Sequence, residues 1–380
     1  MKIVSAIYSH PDYYPPTLNA VNFLAKHVTE IKIISRNVKE DEISFPSNVS
    51  LEKSGHFKTI RDTEAANYFW KIKSFIGFLL LLYQSIIKYH PEWVLLYDPI
   101  PLFAFKILRP FIKKKPKLWY HNHDVMELTR LKKYSISWFA YRAEQKSFYN
   151  IDLFTYPSEQ RKVYFPLKKL KGISSFLPNY PPKNSHRVSV KKTPKNSLKL
   201  IYQGHVGEGH GLLEVIIFLK NINIQLEVSL TIIGQIDETF KQKAVAMIKQ
   251  LRLDDKVHIL PPVPYPKLKE ITERHDVGLA IHLPVNLAFN TAATSSNKIY
   301  EYISGGLPVI LVDNSAYKET LQNREWSFFT DLSEESLEKN LIRISENYKR
   351  ISEEAINDFK NELNFEHFFQ PILPHILLKE

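Results

Sequence analysis

Residues 297–310 read NKIYEYISGGLPVI, and the fold class follows from how they are punctuated. In the first half Ile299, Tyr302 and Ile303 recur at helical spacing on one apolar face, while Lys298 and Glu301 point elsewhere. Gly305-Gly306 stops that helix, because glycine takes the left-handed C-cap at little cost, and Pro308 keeps it from resuming. Val309-Ile310-Leu311-Val312 then reads as a short buried strand. A helix feeding directly into such a strand is the unit of a parallel sheet covered by helices on both faces.

The same alternation runs through the rest of the chain. Strands are expected at 198–203, 228–233, 257–260 and 277–282, separated by helices at 211–221, 240–251 and 265–275. The first half repeats the pattern, with strands at 3–8, 31–35, 93–97, 118–121 and 153–156 and helices at 18–27, 72–89 and 136–149. Residues 178–197, PNYPPKNSHRVSVKKTPKNS, have the composition of an interdomain linker. Residues 334–363 read as a charged helix, after which 365–378 turn apolar again, so a final helix is available to cross back. At 380 residues the chain is too long for one ordinary core. Two doubly wound α/β domains are predicted: residues 1–180 together with 364–380, and residues 181–363.

Composition narrows the function. The chain has no cysteine, which excludes disulfides and thiolate metal sites. The N-terminus, MKIVSAIYSHP, reads as a first strand rather than a signal peptide, since Ser5, Ser9, His10 and Pro11 interrupt its apolar run. The 14 uncharged residues between Lys73 and Lys88 fall short of a bilayer span and read as a buried helix, so a cytoplasmic location is expected. Charge is unevenly shared: residues 1–200 hold 33 Lys/Arg against 15 Asp/Glu, and the remainder 18 against 25. The excess is densest at 106–117, KILRPFIKKKPK, and across 161–199. It implies an anionic leaflet, a lipid-linked phosphate or a nucleic acid as partner, or else a surface that is merely well solvated. Nucleic acid is disfavoured, because no aromatic-basic motif accompanies the charge.

A helix that carries Glu301 and ends in Gly305-Gly306-Leu307-Pro308 resembles the nucleotide-sugar motif of GT-B glycosyltransferases, in particular family 4 (group 1). The resemblance covers nearly all of the chain and is strongest over 200–312. It implies two Rossmann-like domains with a cleft between them and a nucleoside-diphosphate sugar, of UDP or GDP type, as donor. The matching glutamate of that family accepts hydrogen bonds from the donor ribose, which makes Glu301 the expected anchor.

Ligands of open parallel sheets sit beyond the carboxyl ends of the strands, and the candidates cluster there. Residues 202–211, YQGHVGEGHG, set Gly204, Gly207, Gly209 and Gly211 between a strand and a helix, where backbone N–H groups can approach phosphate. The bland alternative is a tight loop with solvated histidines. The spacing is not GxGxxG, which argues against a nicotinamide site. Where the family usually sets Arg and Lys on the donor diphosphate, this chain has His205 and His210, which lack a permanent charge. Lys298 is expected to supply part of it. Family members often carry a second glutamate eight positions before the first, and here that position is Ala293. The small hydroxyls and amides of residues 291–296, with Ser296 and Asn297 at their end, are expected to hold sugar or phosphate instead.

In the first half, residues 119–124 read WYHNHD, and His123-Asp124 resembles the His-Asp at this strand end in the family. His123 is the expected contact of the sugar or proton shuttle. Asp124 either joins it or caps the next helix. His121 and His123 share a strand face with no obvious third ligand, so no metal site is predicted. Asp98-Pro99-Ile100-Pro101 reads mainly as a helix start, and Asp276 resembles a family acid that caps or orients a loop. Tyr13-Tyr14-Pro15-Pro16-Thr17 is expected to shape an acceptor pocket. No Asp-x-Asp occurs, so neither a metal clamp nor any cofactor beyond the donor is expected. The resulting expectation is a metal-independent, retaining transferase acting on a glycan or lipid-linked acceptor of cell-surface polysaccharide synthesis, peripheral at the inner membrane face. A GT-B epimerase or hydrolase, and a non-catalytic nucleotide-sugar-binding module, fit the same residues.

Overall fold

A computed structural model describes residues 1–11, 14–36, 44–55, 57, 62, 65–185 and 196–378. Tyr13 of the first loop and residues 186–195 of the connector lie outside the described residues. The chain divides into two units, Met1–Asn179 with Phe368–Glu380, and Tyr180–His367.

The first unit is built on a parallel sheet of β1 (Lys2–Ile7), β2 (Glu30–Ser35), β3 (Val49–Lys53), β4 (Trp93–Tyr97), β5 (Lys117–His121), β6 (Leu153–Tyr156) and β7 (Ile173–Phe176). Their order is β3-β2-β1-β4-β5-β6-β7. The order reverses between β1 and β4, the place where open α/β sheets offer a crevice at their carboxyl ends. β3 (VSLEK) and β7 (ISSF) were not expected, because edge strands that are only half covered carry no continuous apolar run. The helix Tyr68–Tyr89 starts at the Asn67 cap and buries Phe75, Phe78, Leu82 and Ile86. Ile76 and Leu80 on the same helix are each 50% exposed, so it is half-buried rather than enclosed as expected. By length and composition alone it could cross a membrane. The tail returns to this unit: the Phe369 ring packs 4.9 Å from Phe23 and 5.7 Å from Trp119, and Trp93 Nε1 donates to the Ile376 carbonyl at 3.1 Å.

The second unit repeats the plan with β8 (Ser197–Gln203), β9 (Glu227–Ile233), β10 (Val257–Leu260), β11 (Val277–Ala280), β12 (Val309–Val312) and β13 (Ser327–Thr330). The order is β10-β9-β8-β11-β12-β13, all parallel, with the reversal at β8 and β11. The helix Asn297–Ser304 ends as its glycines require, with Gly306 at φ +75°, and β12 is wholly buried. That helix lies hard against β11: a Cβ on Gly278 would meet the Tyr302 ring at 2.2 Å. Ile299–Ser304 are consequently buried all round, Glu301 included, which corrects the expectation that Glu301 faces away from the packed side.

Candidate active site

In the second unit the chain leaves β8 at Gln203 and makes the Gly204–Gly211 loop. Gly204 has φ +112°, and its carbonyl lies where a Cβ on Gly234 (φ +142°) would fall, 1.9 Å away. The two loops therefore touch backbone to backbone, which only glycine permits. Within the loop the His210 Nδ1 sits 3.0 Å from the Gly207 N–H. Burial, helped by the Lys298 charge and opposed by the Gly207 carbonyl 2.9 Å from Nδ1, pushes His210 down to about 4, so the ring is neutral. His205 is exposed, 3.5 Å from Asp237. The His210 ring packs on Phe289, and His282 behind it bonds the Tyr317 hydroxyl at 2.7 Å.

Lys298 and Glu301 join this loop from the helix Asn297–Ser304. The Lys298 ammonium donates to the Tyr202 hydroxyl and lies 3.7 Å from where a Cβ on Gly204 would be. Burial drives it down to about 7, against the attraction of Glu301. The Glu301 carboxylate accepts from the Tyr265 hydroxyl at 3.0 Å and from Gln203 Nε2, and Gln203 Oε1 in turn accepts from Thr272 Oγ1 at 2.7 Å. Desolvation raises its pKa, opposed by those two hydrogen bonds. Ser296 and Asn297 open the same helix, partly exposed, where the first-turn amides have no helical partner. Ala293 is fully buried and its carbonyl accepts from Tyr300, so no side chain there reaches a ligand. Gly204, Gly207, Gly209, His210, Lys298 and Glu301 thus belong to one neighbourhood at the carboxyl end of β8. Asp276 ties down the opposite end of that strand by accepting from Lys199 N–H at 2.9 Å.

In the first unit His123 follows β5, only 3% exposed. Its backbone N–H donates to Asp98 Oδ1 at 2.7 Å, and its Nδ1 lies 3.0 Å from Asp98 Oδ2. The ring stacks on Tyr97 at 5.1 Å, with Tyr14 at 5.3 Å and Thr17 Oγ1 3.5 Å from Nε2. A carboxylate on Nδ1 fixes the tautomer with Nε2 unprotonated, the arrangement of a general base. Asp98 caps nothing: its side chain makes no bond to the helix Pro99–Leu108, and its φ of +68° is strained for a non-glycine. The helix cap that was the alternative for Asp124 is not formed. Its side chain is 70% exposed and pairs with the buried Arg161 at 3.2 Å, and the next helical turn starts from Glu127. Arg161 also donates to the His123 carbonyl. His121 bonds Thr155 Oγ1 at 2.7 Å and is held neutral by burial. Among the described residues no group of three or more His, Asp or Glu could hold a metal ion.

Residues 185–358 match the family model for glycosyl transferases group 1. No curated protein matches the chain in sequence. Among solved structures it is similar to sucrose-phosphate synthase from Thermosynechococcus elongatus, at 12% identity and a TM-score of 0.72 over 98% of this chain and 97% of that one. It is similar also to Anabaena Alr3699/HepE in complex with UDP, at 13% identity and 0.69 over 99% of both chains. WaaG, a glycosyltransferase involved in lipopolysaccharide biosynthesis, matches at 14% and 0.66 over the full length of both. These likenesses establish the GT-B fold.

Several residues of the candidate site escaped the sequence. Gln203 had a usable signal, as the last residue of a strand beside the switch point. Tyr265 and Thr272 had none, because they reach the site from another helix. Asp98 had one that was read differently, a strand end followed by Pro-x-Pro.

Proposed function

We propose that this chain is a glycosyltransferase, moving a sugar from a nucleoside-diphosphate sugar to a glycan or lipid-linked acceptor in cell-surface polysaccharide synthesis. One observation carries the reading: Lys298 lies against the Gly204 turn while Glu301, one helical turn on, presents a carboxylate at the end of β8. The diphosphate rests on the amides of the Gly204–Gly211 loop, on the first turn of the helix Asn297–Ser304 and on Lys298, where leaving-group charge is stabilised as it develops. Glu301 accepts from the ribose hydroxyls. His123, oriented by Asp98, contacts the sugar or moves the acceptor proton. Because HepE was solved with UDP, a uridine donor is the first to try, with GDP next. Lys298 and the loop amides supply the positive potential that a metal would, so the reaction runs without bound metal, and a chelator is expected to leave it unchanged. Retention of configuration rests on the family resemblance. The basic first half supports docking on the inner face of an anionic membrane from a cytoplasmic location.

A thermal-shift series with UDP, GDP, ADP and CMP tests the donor reading, since a ligand at 100 times its Kd stabilises by about 2.7 kcal/mol. Stabilisation by none of the four ends it. Glu301→Ala is expected to weaken nucleotide binding by on the order of 1–3 kcal/mol through lost charge-assisted hydrogen bonds. An unchanged Kd removes Glu301 from the site. The buried Ala293 favours one rival, donor binding without transfer, and a product assay across glycan and lipid-linked acceptors separates the two.

A further inference from the structure

The basic run at 106–117 takes no part in either cluster above. Its Arg109, Lys115 and Lys117 lie at the amino-terminal edge of the first sheet, the edge opposite His123. The first residues of β4, β5, β6 and β7, namely Trp93, Lys117, Leu153 and Ile173, border a groove of about 600 Å³ there. Lys171 enters it from the turn before β7, and His375 from the tail. A Cβ on Gly172 would lie 2.1 Å from the Asp152 carbonyl, so this turn closes onto β6 only because the residue is glycine, and the closure seats Lys171 in the wall.

Four permanent cations therefore converge from separate segments of the chain. The acid in the lining is Asp152, and its Oδ2 already accepts from Leu118 N–H at 2.6 Å. Among the described residues no ion pair involves Arg109, Lys115 or Lys171. A concave wall of like charge over apolar Phe105, Leu118 and Ile151 concentrates positive potential and repels itself, a cost that an anion relieves. Arg109 supplies a planar fork for phosphate oxygens and the lysines supply point charges. The lining is partly apolar at its edge as well, with Tyr149 51% and Ile173 37% exposed.

We propose that this groove binds a phosphate-bearing ligand at a site separate from the donor loop. The phosphate belongs either to a soluble molecule or to a phospholipid headgroup, and two probes distinguish the sources. Inorganic pyrophosphate is titrated calorimetrically into the full chain. In parallel, the chain is sedimented with phosphatidylcholine vesicles containing or lacking phosphatidylglycerol. The double variant Arg109→Gln/Lys171→Gln is expected to bind one of these probes roughly tenfold more weakly, about 1.4 kcal/mol for two surface phosphate contacts. The control Lys168→Gln/Lys169→Gln removes equal charge outside the groove and is expected to bind like the parent. Selective loss of pyrophosphate assigns a soluble ligand, and selective loss of anionic vesicles assigns a headgroup. If the parent binds neither probe, or if both double variants weaken alike, the groove is not a site. UDP affinity serves as an internal check, because all four substituted residues belong to the first unit.

Discussion

The His123 imidazole is set by a single carboxylate. Asp98 holds both its backbone N–H and its Nδ1, so replacing that acceptor with an amide leaves the shape but offers N–H where a lone pair is needed. Asp98→Asn is expected to lower kcat by about 10- to 1,000-fold with little change in donor Kd, through loss of the productive tautomer. Equal loss in both constants would point to a collapsed loop instead. Lys298 makes the second residue-scale prediction. With its ammonium pushed down to about 7, it is charged at pH 6 and mostly neutral at pH 8. The advantage of the parent over Lys298→Met in UDP affinity should therefore be large at pH 6 and shrink toward pH 8, by up to roughly tenfold per pH unit above 7. A ratio constant with pH would remove Lys298 from the diphosphate.

At the scale of elements, β5 is fastened to the helix Ile136–Glu144 by buried polar groups. The Tyr120 hydroxyl donates to Glu144, and Asn122 Nδ2 donates to that hydroxyl at 3.2 Å and to the carboxylate at 3.4 Å. Burial raises Glu144 to about 7, against the opposing Tyr120 hydrogen bond. A carboxyl whose folded pKa is raised holds its proton more tightly in the native state, so stability falls as pH climbs from about 4.5 to 7, and the full cost is present above 7. Glu144→Gln removes that titration. In urea melts the variant should gain on the order of 1–3 kcal/mol over the parent at pH 8 and little at pH 5. No gain at pH 8 would mean that water or a neighbouring cation already stabilises the carboxylate.

Across the whole molecule, the end of the chain is a structural part of its beginning. Phe369 is fully buried among Phe23 and Trp119, and Trp93 is bonded to the tail backbone. Phe369→Ala is expected to cost the first unit about 3–5 kcal/mol through the cavity it leaves. UDP affinity of the folded protein should be unchanged, since these contacts all lie within the first unit. A donor affinity that fell in step with stability would show that the tail serves the second unit too.

The helix–glycine–strand punctuation of residues 297–310, the strand–helix alternation and the glycine loop after β8 were legible in the sequence, because periodicity and backbone permissiveness act over a few residues. Missing from it were β3, β7 and β13, short edge strands with no unbroken apolar run to mark them. The partners of the site residues were also absent. Asp98 meets His123 because β4 and β5 pair with Tyr97 opposite His121, and Glu301 meets Gln203 because a helix packs onto a strand 98 positions earlier. Sequence alone thus determined which elements form and which strand ends carry polar groups. Which carboxylate orients His123, and which side chains hold Glu301, was decided by sheet register and helix packing, interactions whose partners no local pattern encodes.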